Sequence, residues 1–258
     1  MKYYKKNTDT NNENYLYLSL VKSTDVAYEL TKNNYSLLQS FFNSNELSSK
    51  GWDSFRKSWE NLCLDKFMND NGQYRYRRYS VFTWNSHLKR LIIEEKQPHY
   101  QTIGYNSLNG DIERHFELFE ESTIHNNIFN KIMSFCINVL DQIHKDEDWH
   151  IEAHQYRIVA KSLEKGLPTP EGIHRDGRDY VMMMFIGKER IKGGETTIYD
   201  LNNTPLFNCT LKHPSETIFV NDDMVMHGVS PIEPSNELLI GKRDVLVITF
   251  IKKEKTTN

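Results

Sequence analysis

The sequence predicts an α+β protein, a jelly roll of short strands behind buttressing helices. Two observations carry that expectation. From Trp149 onward, five β-branched, aromatic or Met-rich runs (His150–Ala160, Tyr180–Ile186, Glu195–Tyr199, Glu216–Asn221 and Asp244–Ile251) are separated by Gly, Pro, Asn and Asp clusters at intervals suited to a sandwich or barrel. Before Trp149, apolar residues recur at three-and-four spacing, as amphipathic helices require. No repeat or low-complexity linker interrupts the 258 residues. One domain is therefore expected, helical to about 148, with the jelly-roll core over 149–252.

In chain order, residues 1–14 (MKYYKKNTDTNNEN) read as a polar mobile tail. Leu16 to Phe42 reads as a helix, with Thr24-Asp25 as a plausible cap before Val26, Leu30, Leu37 and Phe41. Trp52, Phe55, Trp59, Leu62 and Cys63 form the apolar stripe of a second helix, and such a stripe is usually core. Asn71-Gly72 punctuates, and Tyr74–Phe82 then alternates aromatic with charged residues, as a strand does. Residues 98–114 are loop-like, turning at Asn109-Gly110. Ser122–Lys145 is the strongest helix, with Ile124, Ile128, Ile132, Cys136, Val139 and Ile143 on one stripe and Ser122 or Thr123 as its cap.

Composition narrows the function. Net charge is −3, the pI is near 6.4 and 38% of residues are apolar. The chain can bury a substantial core and shows no basic field for nucleic acid. The three cysteines lack zinc-finger or redox-pair spacing and read as reduced thiols. No 18-residue apolar run exists, and no apolar segment follows the basic start, so a cytoplasmic protein without a membrane partner is expected.

The chemistry concentrates in Gly172–Asp200 and Met226-His227-Gly228. His174-Arg175-Asp176 is a His-x-Asp, and residues two apart on a strand point to the same side. With His227 they offer two imidazoles and a carboxylate, which can occupy one face of an Fe(II) ion and leave the opposite positions open. That donor set suits a non-haem iron oxygenase, although Mn, Co, Ni or Zn would also bind it. The competing reading is a loop hydrogen bond between His174 and Asp176 and a satisfied core histidine at His227. Arg243, at the head of a final apolar strand, could bind a dicarboxylate end bidentately, or pair with Asp244 at the surface.

Seven ordered segments make the chain resemble the bacterial 2-oxoglutarate/Fe(II)-dependent dioxygenases that include L-isoleucine 4-hydroxylase. They are YRYRRYSVF (74–82), QTIGYN (101–106) with GDIERHF (110–116), HQYRIVA (154–160), PTPEGIHRDGRDYV (168–181), GGETTIYD (193–200), VMHGVSPI (225–232) and RDVLVITF (243–250). The first 65 or so residues match nothing. The resemblance implies a double-stranded β-helix with His174, Asp176 and His227 as iron ligands and Arg243 on the distal carboxylate of 2-oxoglutarate. Many related oxygenases carry a serine two residues after that arginine. Here the position is Val245, and Thr249, Thr196 or Thr197 are the candidates to supply the hydroxyl instead. The implied reaction couples oxidative decarboxylation of 2-oxoglutarate by O2 to oxidation of an unactivated C–H, with succinate and CO2 as coproducts.

A free L-amino acid is the substrate this family implies, and a zwitterion needs a cation for its carboxylate and an acceptor for its ammonium. Arg75 and Arg77, on one face of their strand, and Arg78, on the other, are candidates for the first; a solvated strand face is the competing explanation. Tyr105, Asn106, Glu152, His154 and Arg157 are further candidates, Glu152 as the ammonium partner. Met182-Met183-Met184 reads as adaptable packing. Two alternatives remain open: the same chemistry on a carrier-bound, peptide or protein substrate, and a cupin-like metal-binding or sensing module without turnover. No motif speaks to oligomeric state.

Overall fold

The computed structural model describes residues 10–254 except 163 and 237, without the side chains of 10–21. The helices are α1 (Thr10–Asn33), α2 (Ser44–Leu47), α3 (Lys50–Lys57), α4 (Glu121–Ile124) and α5 (Asn127–Ile143). Among them lie β1 (Tyr35–Leu38), β2 (Cys63–Leu64), β3 (Arg75–Asn85) and β4 (Arg90–Ile93). After α5 come β5 (Trp149–Ala160), β6 (Tyr180–Glu189), β7 (Ile191–Gly193), β8 (Glu195–Tyr199) and β9 (Pro205–Thr210). The last four are β10 (Thr217–Asn221), β11 (Met226–Val229), β12 (Ile232–Pro234) and β13 (Gly241–Lys252).

All strand pairings are antiparallel. The large sheet has the order β1-β10-β6-β13-β5-β3-β2, with β4 on β3, and a three-stranded sheet β11-β8-β9 faces it. A small β12-β7 pair completes the set. Period-two alternation then sorts the large sheet's residues. One face of β6, β13 and β5 (Met182, Met184, Leu246, Ile248, Phe250, Ile151, Ala153) packs on α1, α3 and α5 in a core that includes Phe55, Trp59, Phe129 and Leu140. The other face sends Val181, Met183, Phe185 and Val245 toward Ile198 of the small sheet. The methionine triplet is thus split, with Met183 alone turned toward the small sheet.

Five expectations change. Residues 1–9 of the expected tail lie outside the described residues, and residues 10–14 are already helical. The first helix stops at Asn33, because Asn34 takes a left-handed φ of 67° and Tyr35–Leu38 pairs with β10 as an edge strand. The second stripe is a short α3 continued by a 3-10 turn, Ser58–Asn61, and Cys63 is already in β2. The third helix is broken: Asn126, not Ser122 or Thr123, caps α5 by accepting from Ile128 N at 2.8 Å. The part before 148 is also not purely helical, since β1–β4 all join the large sheet.

Candidate active site

The site builds from main-chain pairing outward. His174 and His227 form an isolated antiparallel bridge, with His174 N donating to His227 O at 3.0 Å and His227 N to His174 O at 2.9 Å. Asp176 follows in a loop, not on a strand, and Asp222 shapes that loop. Its carboxylate accepts Asp176 N at 3.1 Å and Arg178 N at 3.0 Å. Gly177 takes φ +71°, and a Cβ there would run into the Tyr105 ring at 2.5 Å, so only glycine fits.

The three side chains meet as the His-x-Asp spacing suggested. Asp176 Oδ1 lies 3.6 Å from His174 Nε2, and Oδ2 lies 3.8 Å from His227 Nε2. His174 Nδ1 faces the Gly172 carbonyl at 3.1 Å and must donate there, which leaves Nε2 as the nitrogen turned toward Asp176. Burial opposes charge on His174, but Asp176 and Glu171 override it and hold its pKa at about 9. Burial, then the neighbouring His174, pushes His227 down to about 4. Burial would raise Asp176, yet the two imidazoles hold it below the usual carboxylate range. Two nitrogens and a carboxylate converging on one point are a divalent-metal donor set, once a metal displaces the His174 proton.

A second cluster, His99, Glu152 and His154, is equally compact but differently committed. Arg77 Nη2 sits 2.7 Å from His154 Nδ1, and an arginine only donates, so that lone pair is taken. Glu152 already accepts from Tyr79 at 2.8 Å, Arg178 at 2.8 Å and Thr249 at 3.3 Å, with His99 at 3.4 Å. A guanidinium on each of two potential ligands repels a metal ion. The first cluster is therefore the better metal site, and Glu152 is not free for an ammonium, contrary to the sequence expectation.

Arg243 also turns inward. It lines the same cleft as the triad, is 5% exposed, and finds no ion pair or hydrogen bond among the described residues. Burial lowers its pKa to about 10. The expected competitor, Asp244, points to the opposite face and is held by Arg157 at 2.8 Å. Thr196 and Thr249 both line the cleft, but Thr249 stands six residues along β13 from Arg243, ~20 Å at strand rise, and spends its hydroxyl on Glu152. Thr249 cannot share an anion with Arg243. Thr197 lies next to Thr196 on β8 and so faces away from the cleft.

The same alternation sorts the remaining candidates. Arg75, Arg77, Asn106, Glu152 and His154 line the cleft. Arg78 is on the reverse face of β3, donating to the Asn61 and Leu118 carbonyls, and Arg157 is on the reverse face of β5, bound to Glu60 and Asp244. Neither can meet a ligand in the cleft. Tyr105 is 37% exposed, and its ring covers Gly177 and Arg175 without reaching the cleft. Sequence reasoning missed Gln101, Arg114, Glu171 and Arg178, although each falls inside a quoted segment. It also missed Asp65, which no pattern marked and which pairs with Arg75 at 2.8 Å.

A family model described as 2OG-Fe dioxygenase matches residues 56–249. The chain belongs to the 2OG-Fe dioxygenase family. It is accordingly an oxidoreductase that uses Fe(II), 2-oxoglutarate and O2. Among relatives of this dioxygenase, the 3(1)-hydroxy-L-isoleucine 4-dioxygenase of Pantoea ananatis is 27% identical over 209 residues, 80% of this chain and 83% of that protein. The L-isoleucine-4-hydroxylase of Bacillus thuringiensis is 27% identical over 192 residues, 71% and 77% of the respective chains. A solved bsmA homolog from Methylobium petroleophilum superposes with TM-score 0.78 at 28% identity, covering 89% of this chain and 92% of that one. IDO from Bacillus thuringiensis, at TM-score 0.75 and 20% identity over 90% and 100%, shares the fold.

Proposed function

We propose that this dioxygenase oxidises an unactivated C–H of a free L-amino acid or a similar small zwitterion. One observation carries the reading: His174, Asp176, His227 and Arg243, which has no ion pair or hydrogen bond among the described residues, line a single cleft between the two sheets. The relatives named for isoleucine and hydroxyisoleucine support the substrate class. The two facing antiparallel sheets are read as the double-stranded β-helix of the jelly roll, and strands from both halves of the chain in one sheet support a single domain. Among the described residues no helix is long and apolar enough to cross a membrane. Three unpaired cysteines support a cytoplasmic location.

In this reading His174, Asp176 and His227 hold Fe(II). The metal supplies the redox chemistry that couples decarboxylation of 2-oxoglutarate, giving succinate and CO2, to oxygen insertion into the substrate. Arg243 takes the distal carboxylate of 2-oxoglutarate through its fork, with Thr196 beside it. Gly194 gives that arginine its room, since a Cβ there would sit 3.3 Å from Arg243 Cδ. Met183, Val245 and Val247 make an apolar floor that excludes water and orients the reacting carbon. Glu171, whose Oε2 is buried without a hydrogen-bond partner among the described residues, accepts the substrate ammonium.

The test is succinate formation by the anaerobically reconstituted Fe(II) protein across the twenty amino acids, with mass spectrometry for a gain of one oxygen. Substrate-stimulated succinate with a matching oxidised product supports the reading. Slow succinate without product from any of them points to a carrier-bound or peptide substrate. No turnover of 2-oxoglutarate contradicts oxygenase activity and leaves a binding module.

A further inference from the structure

Resting on the amino-acid reading above, we propose that Arg77 and Arg114 form a second anion site in the cleft, which takes the substrate carboxylate, and that Gln101 ties this site to Asp176. Arg77 and Arg114 are each 1% exposed, and both line the cleft. The Nε of each is buried without a hydrogen-bond partner among the described residues.

Charge is also unmatched there. Arg75, Arg77 and Arg114 share one region, and Asp65 is the carboxylate within ion-pair distance, 2.8 Å from Arg75 and 3.6 Å from Arg77. Arg114 has no carboxylate partner within 4 Å among the described residues. Burial and then the Arg77 charge lower its pKa to about 10. Glu152 offers no relief, because Arg178 occupies it at 2.8 Å. Desolvating a guanidinium beside two others is costly unless an anion arrives.

The geometry favours a planar anion. The Arg77 guanidinium lies between the Phe116 ring, 3.7 Å from its centroid, and the Tyr156 ring, at 4.7 Å, which fixes its plane. This site is separate from Arg243, since β5 lies between β3 and β13 and two strand spacings are about 10 Å. Arg75, spent on Asp65, braces the cluster.

Gln101 provides the link. Its Oε1 accepts from Arg114 Nη2 at 2.9 Å and Asn106 Nδ2 at 3.1 Å, so its amide must turn toward Asp176. There it lies 3.1 Å from the Asp176 carbonyl and 3.4 Å from Oδ1. An anion that orders Arg114 therefore also orders a residue of the metal donor set.

The experiment is calorimetric titration of the anaerobic Fe(II)/2-oxoglutarate protein with the L-amino acids and with the carboxamides of those that bind. The carboxamide is expected to bind ~100-fold more weakly than the acid, a comparison that needs no variant. Arg114→Met and Arg77→Met are each expected to weaken the acid about 10–100-fold with 2-oxoglutarate affinity unchanged. The Tm of Arg114→Met should not fall, because a repelled cation is removed, whereas a purely structural Arg114 would lower it. Equal binding of acid and carboxamide, or unchanged affinity in Arg114→Met, overturns the proposal while the amino-acid reading stands. If no amino acid binds, acetate and propionate are tested by thermal shift. Stabilisation of wild type but not of Arg114→Met keeps the anion site and rejects the amino-acid reading; stabilisation of neither rejects the site.

Discussion

His174 and His227 exchange two main-chain hydrogen bonds, at 3.0 and 2.9 Å, and their ring centroids lie 4.5 Å apart. Residues about fifty positions apart are thus registered by backbone pairing, and the rings inherit that register. Replacing either ring leaves the bridge intact, since the bridge uses no side-chain atom. His174→Ala and His227→Ala are expected to fold with a Tm close to wild type and to lose Fe(II) by more than the roughly 10–100-fold that an outer-shell change costs. Equilibrium metal binding checks this.

Arg243 has no competitor for its guanidinium, because Arg157 holds Asp244 on the other face. Arg243→Met should raise the KM for 2-oxoglutarate about 100-fold, the worth of a bidentate charged contact. Metal affinity should be unchanged. Steady-state kinetics at varied 2-oxoglutarate tests this.

Arg157 ties Glu60 of the 3-10 turn to Asp244 of β13, outside the cleft. Arg157→Ala should cost about 2 kcal/mol of stability, because Asp244 is left buried without its partner. Substrate and 2-oxoglutarate KM values should not move. A KM effect without loss of stability would return Arg157 to the site.

Buried histidines outside the metal donor set impose an acid limit. Burial lowers His99 to about 4, below the ~6.5 of an unfolded histidine. Above ~6.5 the residue is neutral in both states and its contribution is complete; below that the unfolded chain gains the proton first. Stability should therefore fall between ~6.5 and ~4, by on the order of 3 kcal/mol for this residue. Denaturant unfolding across that range should show a shallower slope in His99→Gln.

Period-two alternation made much of this legible beforehand. Trp149–Ala160 and Gly241–Lys252 are long strands whose two faces read directly from sequence, Tyr180–Glu189 is a strand apolar and buried on both faces, and the His-x-Asp, the distant His227 and Arg243 come together in one cleft. The same alternation, applied to β5 and β13, would have turned Arg157 outward and separated Thr249 from Arg243. Edge strands such as Tyr35–Leu38 were not legible, because they exist by pairing with distant β10. Nor was Asp65, whose role comes from Arg75 and Arg77 across the sheet, nor the Arg114–Gln101–Asp176 chain inside an apparent loop.

Two clusters of His and carboxylate lie in one cleft, and only one can carry the iron. Equilibrium Fe(II) binding under anaerobic conditions, in wild type, His227→Ala and His154→Ala, separates them. One ion per chain in wild type and in His154→Ala, with none in His227→Ala, is expected. Retention of iron in His227→Ala together with its loss in His154→Ala would contradict the triad and move the metal to the Glu152 cluster.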